Sequence, residues 1–296
     1  MIIEIANRIQ TVESYYFVRK MAQIDEMNRT GDAVINLGIG SPDLAPPLAV
    51  TKKLQEVASF PSVNGYQSYK GIPALRKAFT DWYERYFSLS LDPEHELLPL
   101  IGSKEGVMHI SMAFLNEGDR ALIPDPGYPT YAATCRLAGA EPLYYSLEAK
   151  HGWKPDLVGL ARQDLSKVKL MWINYPNMPT GALADKSFFE ELISFAREHS
   201  ILICHDNPYT FILNDNPLSI LEIEGAKELA IELTSLSKTY NMAGWRIGCM
   251  AGHADYINAV MKFKSNMDSG MFRALQEAAV VAIRWVIWQV PTIPST

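Results

Sequence analysis

The chain has 296 residues, with 48% hydrophobic side chains, 20% charged side chains and a net charge of −6. This composition excludes a disordered or fibrous chain and fits a globular protein with one large or two smaller domains. The acidic balance gives no reason to expect nucleic acid or an anionic membrane as a partner.

The N-terminal segment and the cysteines indicate the compartment. The apolar opening over residues 1–10 contains Glu4 and Arg8, so we predict neither a signal peptide nor a membrane span. The cysteines are far apart and lack metal-ligand spacing: Cys135, Cys204 and Cys249. We therefore expect buried thiols, a cytoplasmic protein and no metal site.

In chain order, the first predicted element is a helix over residues 13–29, where apolar side chains recur at roughly helical spacing. Residues 34–37 then predict a short strand that leads into the loop Gly38-Ile39-Gly40. Glycines let a ligand approach the backbone closely, although these residues alone favour a plain turn.

Further along, helices and strands alternate. Helices are predicted over residues 51–59, 73–87, 103–114, 131–138, 155–161, 185–198, 253–263 and 276–283. Strands are predicted over residues 97–101, 120–123, 141–145, 168–173, 201–204, 228–233 and 247–251. This alternation is typical of a mainly parallel, doubly wound sheet, so we predict an α/β fold with three α/β/α layers.

Several candidate site residues follow the predicted strands. Ser103 and Lys104 begin a helix, whose free N–H groups favour an anion, although helix capping and a solvated lysine explain them equally well. Tyr128 follows a proline-rich turn, where an aromatic ring can stack on a ligand or pack in the core. Asp206 ends a buried strand, which suits a cation as partner, but Asp before a turn also serves as a cap.

The most specific stretch covers residues 234–248, between two predicted strands. It places Lys238 in a loop rich in hydroxyls, with Arg246 further on. A partly desolvated lysine near positive charge can form a Schiff base with an aldehyde, and hydroxyls with arginine can hold a phosphate. A solvated loop lysine is the alternative. The stretch as a whole closely resembles the lysine segment of the class I/II aminotransferases, which are fold-type I pyridoxal phosphate (PLP) enzymes.

The resemblance implies a seven-stranded sheet, PLP as cofactor, and an amino acid and a 2-oxo acid as substrates. Lys238 would be the catalytic residue, which carries PLP and moves a proton. Asp206 would pair with the ring nitrogen, Tyr209 with O3′, and Tyr128 with the ring face. The remaining cofactor contacts implied are Ser103, Lys104, Ser235, Ser237 and Arg246, and Gly40 and Tyr15 would lie at the substrate.

A second resemblance runs from Tyr66 to Arg76, with the pattern Tyr-x4-Gly-x3-Leu-Arg. It implies a homodimer in which Tyr66 reaches the phosphate of the partner's cofactor. The alternative is a loop tyrosine that packs on its own helix. The sequences of residues 36–44 and 207–209 are most similar to those of the family branch that includes LL-diaminopimelate aminotransferase.

The chain departs from the family pattern at Asn-Pro-Thr-Gly, whose asparagine donates to O3′. Alignment on Pro179-Thr180-Gly181 places Met178 at that position, and its side chain cannot donate. Either Asn177 takes the role through a shifted backbone, or Tyr209 holds O3′ alone.

The resemblance also predicts the domains. Residues 1–48 would form an N-terminal arm and part of a small domain, residues 49–270 the large PLP-binding domain, and residues 271–296 the start of a C-terminal domain. Family members continue further, so we expect a C-terminally truncated chain with an atypical tail after about Ala282. A PLP-dependent lyase, or a catalytically impaired remnant that binds PLP, remain alternatives to a transaminase.

Overall fold

The computed structural model describes residues 3–38 and 40–285, and its centre is a seven-stranded sheet. Seven of the eight predicted strands are present. They are β1 (Leu97–Leu100), β2 (Arg120–Asp125), β3 (Glu141–Ser146), β4 (Val168–Ile173), β5 (Leu202–Asp206), β6 (Ala230–Ser235) and β7 (Gly248–Gly252). Their order across the sheet is β1-β7-β6-β5-β4-β2-β3. Within this sheet β7 pairs antiparallel with β1 and β6, and the other pairs are parallel.

Helices lie on both faces of the sheet. The described helices are α1 (Asn7–Gln10), α2 (Tyr16–Thr30), α3 (Leu48–Ala58), α4 (Pro73–Phe87), α5 (Ser103–Phe114), α6 (Pro129–Leu137), α7 (Leu157–Ala161), α8 (Lys186–His199), α9 (Ala254–Lys264) and α10 (Arg273–Arg284). One apolar core joins the sheet to α5, α6 and α9, and the other joins it to α4, α8 and α10. The three-layer α/β/α prediction is confirmed, and successive strand residues alternate between the two cores because β side chains alternate in direction.

The N-terminal part differs from the prediction. Helix α2 forms as expected, but none of its residues is buried against the described chain. The strand predicted over residues 34–37 is wrong, since no β pairing forms there and Ile35 and Leu37 are 83% and 90% exposed. Two apolar residues in alternation predict a strand only where a partner strand is available, and within the described residues this segment pairs with none.

Helix α10 packs against α3 and α4, so its small apolar residues share a core with the sheet. Its buried Gln276 accepts a 2.7 Å hydrogen bond from the N–H of Ile72 and donates a 2.6 Å bond to the carbonyl of Met271. The domain division at residue 270 stays a prediction. The predicted tail after Ala282 falls mostly on residues 286–296, which lie outside the described residues.

The cysteines are buried free thiols, as predicted, and burial raises the pKa of Cys135 to about 12. Within residues 3–38 and 40–285, every helix falls short of the length and apolarity that a membrane crossing requires.

Candidate active site

A cavity of about 720 Å³ opens at the sheet edge where the parallel strands end. Eleven of the thirteen predicted site residues line it: Tyr15, Gly40, Ser103, Lys104, Tyr128, Asp206, Tyr209, Ser235, Ser237, Lys238 and Arg246. The carboxyl ends of parallel strands meet at one edge, so turns distant in sequence converge there. Tyr66 and Asn177 do not line the cavity.

The amine of Lys238 projects into this cavity from the loop between β6 and β7. Its Nζ donates a 2.8 Å hydrogen bond to the carbonyl of Gly40 and lies 5.8 Å from the centre of the Tyr209 ring. Burial, and secondly the positive charge of Arg246, lower the pKa of the Lys238 amine below its usual value. A lower pKa increases the fraction of neutral amine, which is the nucleophilic form.

Hydroxyls and a guanidinium converge beside this amine. The Ser235 hydroxyl donates to the Ser237 hydroxyl over 2.8 Å, and Arg246 Nη1 donates to Ser237 Oγ over 3.3 Å. Arg246 has a left-handed φ of 57°, and its side chain folds back over the loop, where Nη1 also donates to the Ala243 carbonyl over 2.9 Å. Together with the exposed N–H groups at the start of α5, these donors can hold a dianionic phosphate.

Gly102 allows the Arg246 guanidinium to pack closely against the turn before α5. Gly102 has a φ of 76°, and a Cβ at this position would collide with Arg246, with the guanidinium carbon only 2.8 Å away. Gly248 allows a second close approach, because a Cβ there would lie 2.5 Å from the Thr234 carbonyl oxygen and 3.1 Å from the Ser103 nitrogen. The two turns that carry Ser103 and Arg246 therefore pack backbone to backbone.

A buried carboxylate supports the turn before α5 from behind. Glu105 accepts hydrogen bonds from the N–H of Ile101 and, over 3.0 Å, from Lys264 Nζ, and it lies 3.0 Å from His109 Nε2. Burial would raise the pKa of Glu105, but the bonds from His109, Lys264 and the Ile101 backbone lower it to about 2. The carboxylate stays ionised and fixes the turn.

The carboxylate of Asp206 lies on the opposite wall at the end of β5. Oδ2 accepts a 2.9 Å hydrogen bond from the Tyr131 hydroxyl, whose ring stacks on Trp172 with centroids 4.9 Å apart. Oδ1 is buried and has no partner in the described part of the chain. Burial raises the pKa of Asp206 to about 6, against the lowering effects of the Tyr131 hydrogen bond, the charge of His205 and the nearby Ser103 hydroxyl. An unpaired buried carboxylate oxygen fits a protonated ring nitrogen as its partner.

Aromatic side chains form the outer wall. Tyr15 contacts Tyr128, and burial followed by a hydrogen bond with Tyr128 raises the pKa of the Tyr15 hydroxyl. Lys104 Nζ lies 4.1 Å from the centre of the Tyr15 ring, a cation–π contact that ties the start of α2 to the start of α5. Tyr209 is half-buried, and burial followed by the Asp206 charge raises its hydroxyl pKa.

The asparagine turn has a geometry that the sequence did not predict. Met178 and Asn174 line the cavity, and the Asn174 amide donates to the Asp206 carbonyl over 2.7 Å and accepts from the Met178 N–H over 2.7 Å. Asn177 is turned inward, where its amide donates to the Asn174 carbonyl and accepts from the Thr180 hydroxyl. In this conformation the Asn177 amide is used within the turn.

Two further residues are placed away from the cavity. Tyr66 is 95% exposed, so it does not pack on its own helix. His205 is fully buried behind the sheet edge, hydrogen-bonded to Glu232 and to the Tyr175 carbonyl, and is not a cavity base.

Sequence reasoning missed Tyr131 and Asn174 as site residues. Tyr131 looked like the first residue of a helix, yet a buried carboxylate requires a hydroxyl or N–H partner, and Tyr131 follows the Tyr128 turn by one helical turn. Asn174 ends a buried strand, the same position in its strand that singled out Asp206.

Comparison with known proteins shows what this arrangement is similar to. Residues 32–286 match the family model described as aminotransferase class I and II. An LL-diaminopimelate aminotransferase of Dehalococcoides mccartyi is 46% identical over 282 residues, which are 95% of this chain and 73% of the relative. One from Desulforudis audaxviator is 45% identical over 280 residues, 94% of this chain and 71% of that protein.

Solved structures share the fold. The substrate-bound structure of BacF from Bacillus subtilis is 38% identical, with a TM-score of 0.89, over 95% of this chain and 72% of that one. The maleate complex of aspartate aminotransferase from Thermus thermophilus is 26% identical, with a TM-score of 0.89, over 95% and 73%.

Proposed function

The chain belongs to the class I and II aminotransferases, and on that premise we propose that its cavity binds pyridoxal 5′-phosphate on Lys238. The observation that carries the proposal is that three features line one cavity. They are a lysine with a lowered pKa, a phosphate-type anchor at Ser237 and Arg246, and a buried carboxylate oxygen of Asp206 that accepts no hydrogen bond from the described residues. An aldehyde, a phosphate and a protonated ring nitrogen are the groups that these features fit.

Bound PLP withdraws electrons from the amino acid's Cα when its proton leaves. The residues of this chain supply position and proton transfer. Ser103, Lys104, Ser235, Ser237 and Arg246 hold the phosphate, as predicted from the sequence. The carboxylate of Asp206 holds the ring nitrogen protonated, and this role requires that Asp206 remain ionised.

Tyr128 would provide an apolar surface for the ring and Tyr209 a hydroxyl for O3′. Lys238 Nζ, once free, accepts the Cα proton, for which the lowered amine pKa suits it. Because the amide of Asn177 is used within its turn and Met178 cannot donate, Tyr209 is the predicted side chain left for O3′.

We propose that the substrates are an amino acid and a 2-oxo acid that enter beside Gly40 and Tyr15. LL-diaminopimelate is the first donor to test, because relatives that are 40% to 46% identical carry that name. On the substrate side, Tyr15, Tyr16 and Phe17 give the cavity an apolar wall against which the carbon chain of a donor can pack.

A homodimer is part of the proposal. Tyr66 is 95% exposed and lies outside its own chain's cavity, as a residue that serves a partner subunit would. Other apolar side chains close to Tyr66, either along the chain or in the fold, are also exposed. They include Tyr69, Met267 and Phe272.

The test is covalent mapping of the cofactor. The purified chain is incubated with PLP, reduced with borohydride and digested, and the peptide that carries the added mass is sequenced. We expect the label on Lys238, its loss in Lys238→Ala and its retention in Lys52→Ala, which changes an exposed helix lysine. Label at another lysine, or none, would overturn the proposal.

Product analysis tests the reaction itself. A transaminase converts 2-oxoglutarate to glutamate when LL-diaminopimelate or another donor is added. Release of ammonia or a thiol without a 2-oxo acid would instead show a lyase. Specific labelling of Lys238 without any turnover would point to an impaired binding protein.

A further inference from the structure

A buried polar cluster lies on the opposite side of β5 from Asp206. It consists of His205 and Glu232, which face each other on the paired strands β5 and β6, with Ser219 beside them. All three side chains are at most 1% exposed. Polar groups buried this deeply are costly unless each has a partner, and none of them lines the cavity.

The hydrogen-bond pattern determines where the protons lie. His205 Nε2 lies 3.0 Å from the carbonyl oxygen of Tyr175, and since a carbonyl only accepts, Nε2 must carry a hydrogen. His205 Nδ1 lies 2.9 Å from Glu232 Oε2, so one hydrogen is shared between these two atoms.

Other donors assign that hydrogen to the imidazole. Glu232 Oε2 already accepts the N–H of Ile220 over 3.1 Å, and the Ser219 hydroxyl lies 3.1 Å from both carboxylate oxygens. The Ser219 oxygen accepts from the N–H of Leu221, so its own hydrogen is free to point to Glu232. A carboxyl group surrounded by donors is favoured as the anion, which leaves both nitrogens of His205 protonated.

The resulting imidazolium is adjacent in sequence to Asp206, on the opposite face of the same strand. His205 is adjacent to Asp206 on β5, whereas Glu232 lies on the neighbouring strand β6. The pair is therefore a dipole whose positive end lies next to the cofactor-facing carboxylate. This electrostatic effect agrees with the lowering influence of His205 on the pKa of Asp206.

We propose that the buried His205–Glu232 ion pair is a positioning element that keeps Asp206 ionised, so that its free oxygen can pair with a protonated ring nitrogen. The inference rests on the proposed PLP site. It gives a functional reason for burying an ion pair, which an apolar pair of similar volume could replace without loss of stability.

Other titratable groups face this cluster and must be considered in any titration. They are Tyr83 on α4, Cys249 on β7 and Glu222 in the turn after Ser219. Burial, and then the negative charge of Glu232, raise the pKa of Tyr83 and Cys249, so both stay neutral around pH 7. Desolvation of the Glu222 carboxyl raises its pKa as well.

The first experiment observes the wild-type protein directly and uses a variant only for assignment. In the 296-residue chain labelled with ¹⁵N-histidine, the ring nitrogens of His205, assigned by their absence in His205→Gln, should both be protonated at pH 7. A wild-type spectrum with one unprotonated His205 nitrogen would overturn the inference.

The second experiment follows Asp206 in the cofactor-free protein. The carboxyl infrared band, assigned by its loss in Asp206→Asn, is titrated in the wild type, His205→Gln and Glu232→Gln. We expect the Asp206 midpoint to move up by about one pH unit in both variants, at the low end of the effect of a nearby opposite charge. His199→Gln is the control, because His199 lies at the end of α8 against the Phe195 ring and does not line the cavity.

An unchanged midpoint in variants whose circular dichroism matches the wild type would refute the positioning role. PLP labelling of Lys238 is measured in parallel on the same samples. Its absence in the wild type would remove the proposed function, whereas the midpoints would still report on the ion pair, so the two failures are distinguishable.

Discussion

The hydroxyl of Tyr131 donates a 2.9 Å hydrogen bond to one oxygen of Asp206 and leaves the other oxygen without a partner in the described structure. Stacking on Trp172, with ring planes 5° apart, fixes the direction of that hydroxyl. The carboxylate is therefore held from one side and open to a ligand on the other.

Removing this hydroxyl should weaken the fold in a pH-dependent way. Tyr131→Phe keeps the stacked ring but leaves the buried carboxylate less satisfied, so we expect the free energy of unfolding to fall by about 1–3 kcal/mol at pH 8, where Asp206 is ionised. Near pH 4 the loss should be smaller, because a neutral carboxyl needs the donor less. The measurement is urea unfolding of the cofactor-free protein at both pH values.

Tyr145→Phe is the control for that variant. Its buried hydroxyl donates to the Trp172 carbonyl over 2.7 Å, and a carbonyl does not titrate. We expect its cost to be the same at pH 4 and pH 8. If the free energy of unfolding that is lost in Tyr131→Phe is also the same at pH 4 and pH 8, the pairing with an ionised Asp206 is contradicted.

Replacing the carboxylate itself should stabilise the cofactor-free protein above pH 6. The pKa of Asp206 is raised to about 6 in the folded state, so its contribution to stability is present at low pH and is lost as the pH rises from about 4 to 6. Relative to wild type, Asp206→Asn should gain stability across that range, up to an order of 3 kcal/mol, since each pKa unit is about 1.36 kcal/mol. Above pH 6 the difference should stay constant.

Urea unfolding between pH 4 and pH 8 checks this expectation, with PLP affinity measured on the same samples. The variant should bind PLP at least tenfold more weakly, because the ring nitrogen loses its anionic partner. A variant that is less stable than wild type at every pH would show that the buried carboxylate is not a cost to the fold.

Gly102 can be tested against a glycine with the same backbone conformation. Gly102→Ala and Gly118→Ala both place a Cβ at positive φ, 76° and 85°, which costs roughly 1 kcal/mol of stability each. The Cβ at Gly118 meets no atom within 4 Å, whereas the one at Gly102 collides with Arg246. We expect weakened PLP binding, by about tenfold or more, in Gly102→Ala alone, measured by equilibrium titration. Equal affinities in the two variants would argue against Arg246 as the phosphate anchor.

The effect of the Arg246 charge on the pKa of Lys238 should be measurable. Burial is the main reason that the Lys238 pKa is lowered, and the Arg246 charge is the second. The rate at which Lys238 reacts with pyridoxal, which lacks the phosphate, should depend on pH through the neutral amine. We expect the midpoint of that profile to move up in Arg246→Met and to stay near the wild-type value in Arg246→Lys, which keeps the charge. A shift of the same size in both variants would indicate a change of loop structure instead.

Mixed subunits test the role of Tyr66. If Tyr66 completes the partner's site, a mixture of Lys238→Ala and Tyr66→Phe chains forms hybrid dimers with one intact site, in which Lys238 and Tyr66 come from different chains. We expect the mixture to bind PLP more tightly than the Tyr66→Phe homodimer, at a stoichiometry of one tight site per hybrid. Affinity equal to that of the separate variants would place Tyr66 outside the site.

Much of this arrangement could be predicted from the sequence because it follows from local chemistry. The strands are mostly apolar, with Glu232 as an exception within β6, and the turns after the strands carry the polar side chains, so an α/β sheet with one polar edge follows. The short segment around Ile35 and Leu37 is also apolar, but it pairs with no strand in the described part of the chain, and pairing partners are not encoded locally.

The asparagine turn shows why side-chain direction could not be predicted. Alignment on Pro179 shows which residues of the family pattern Asn177 and Met178 correspond to. It does not show whether each side chain points into the cavity or away from it. That choice depends on hydrogen bonds within the turn, where the Asn174 oxygen accepts the Met178 N–H and draws Asn174 towards the cavity. Tyr131 was missed for a similar reason, since its role depends on a carboxylate 75 residues further along the chain.

The reversed direction of β7 has a consequence for how this protein could be altered. The chain leaves the sheet edge at Ser235 and returns to the same edge at Gly248, and the N–H of Leu236 closes this excursion by donating to the Ile247 carbonyl over 3.0 Å. Lys238 and Arg246 thus belong to a single hairpin that is closed by this hydrogen bond. The distance between them therefore does not depend on how the N-terminal arm or the outer helices move. Recombination that exchanges outer elements between relatives should preserve that spacing, whereas a crossover inside the hairpin would destroy it.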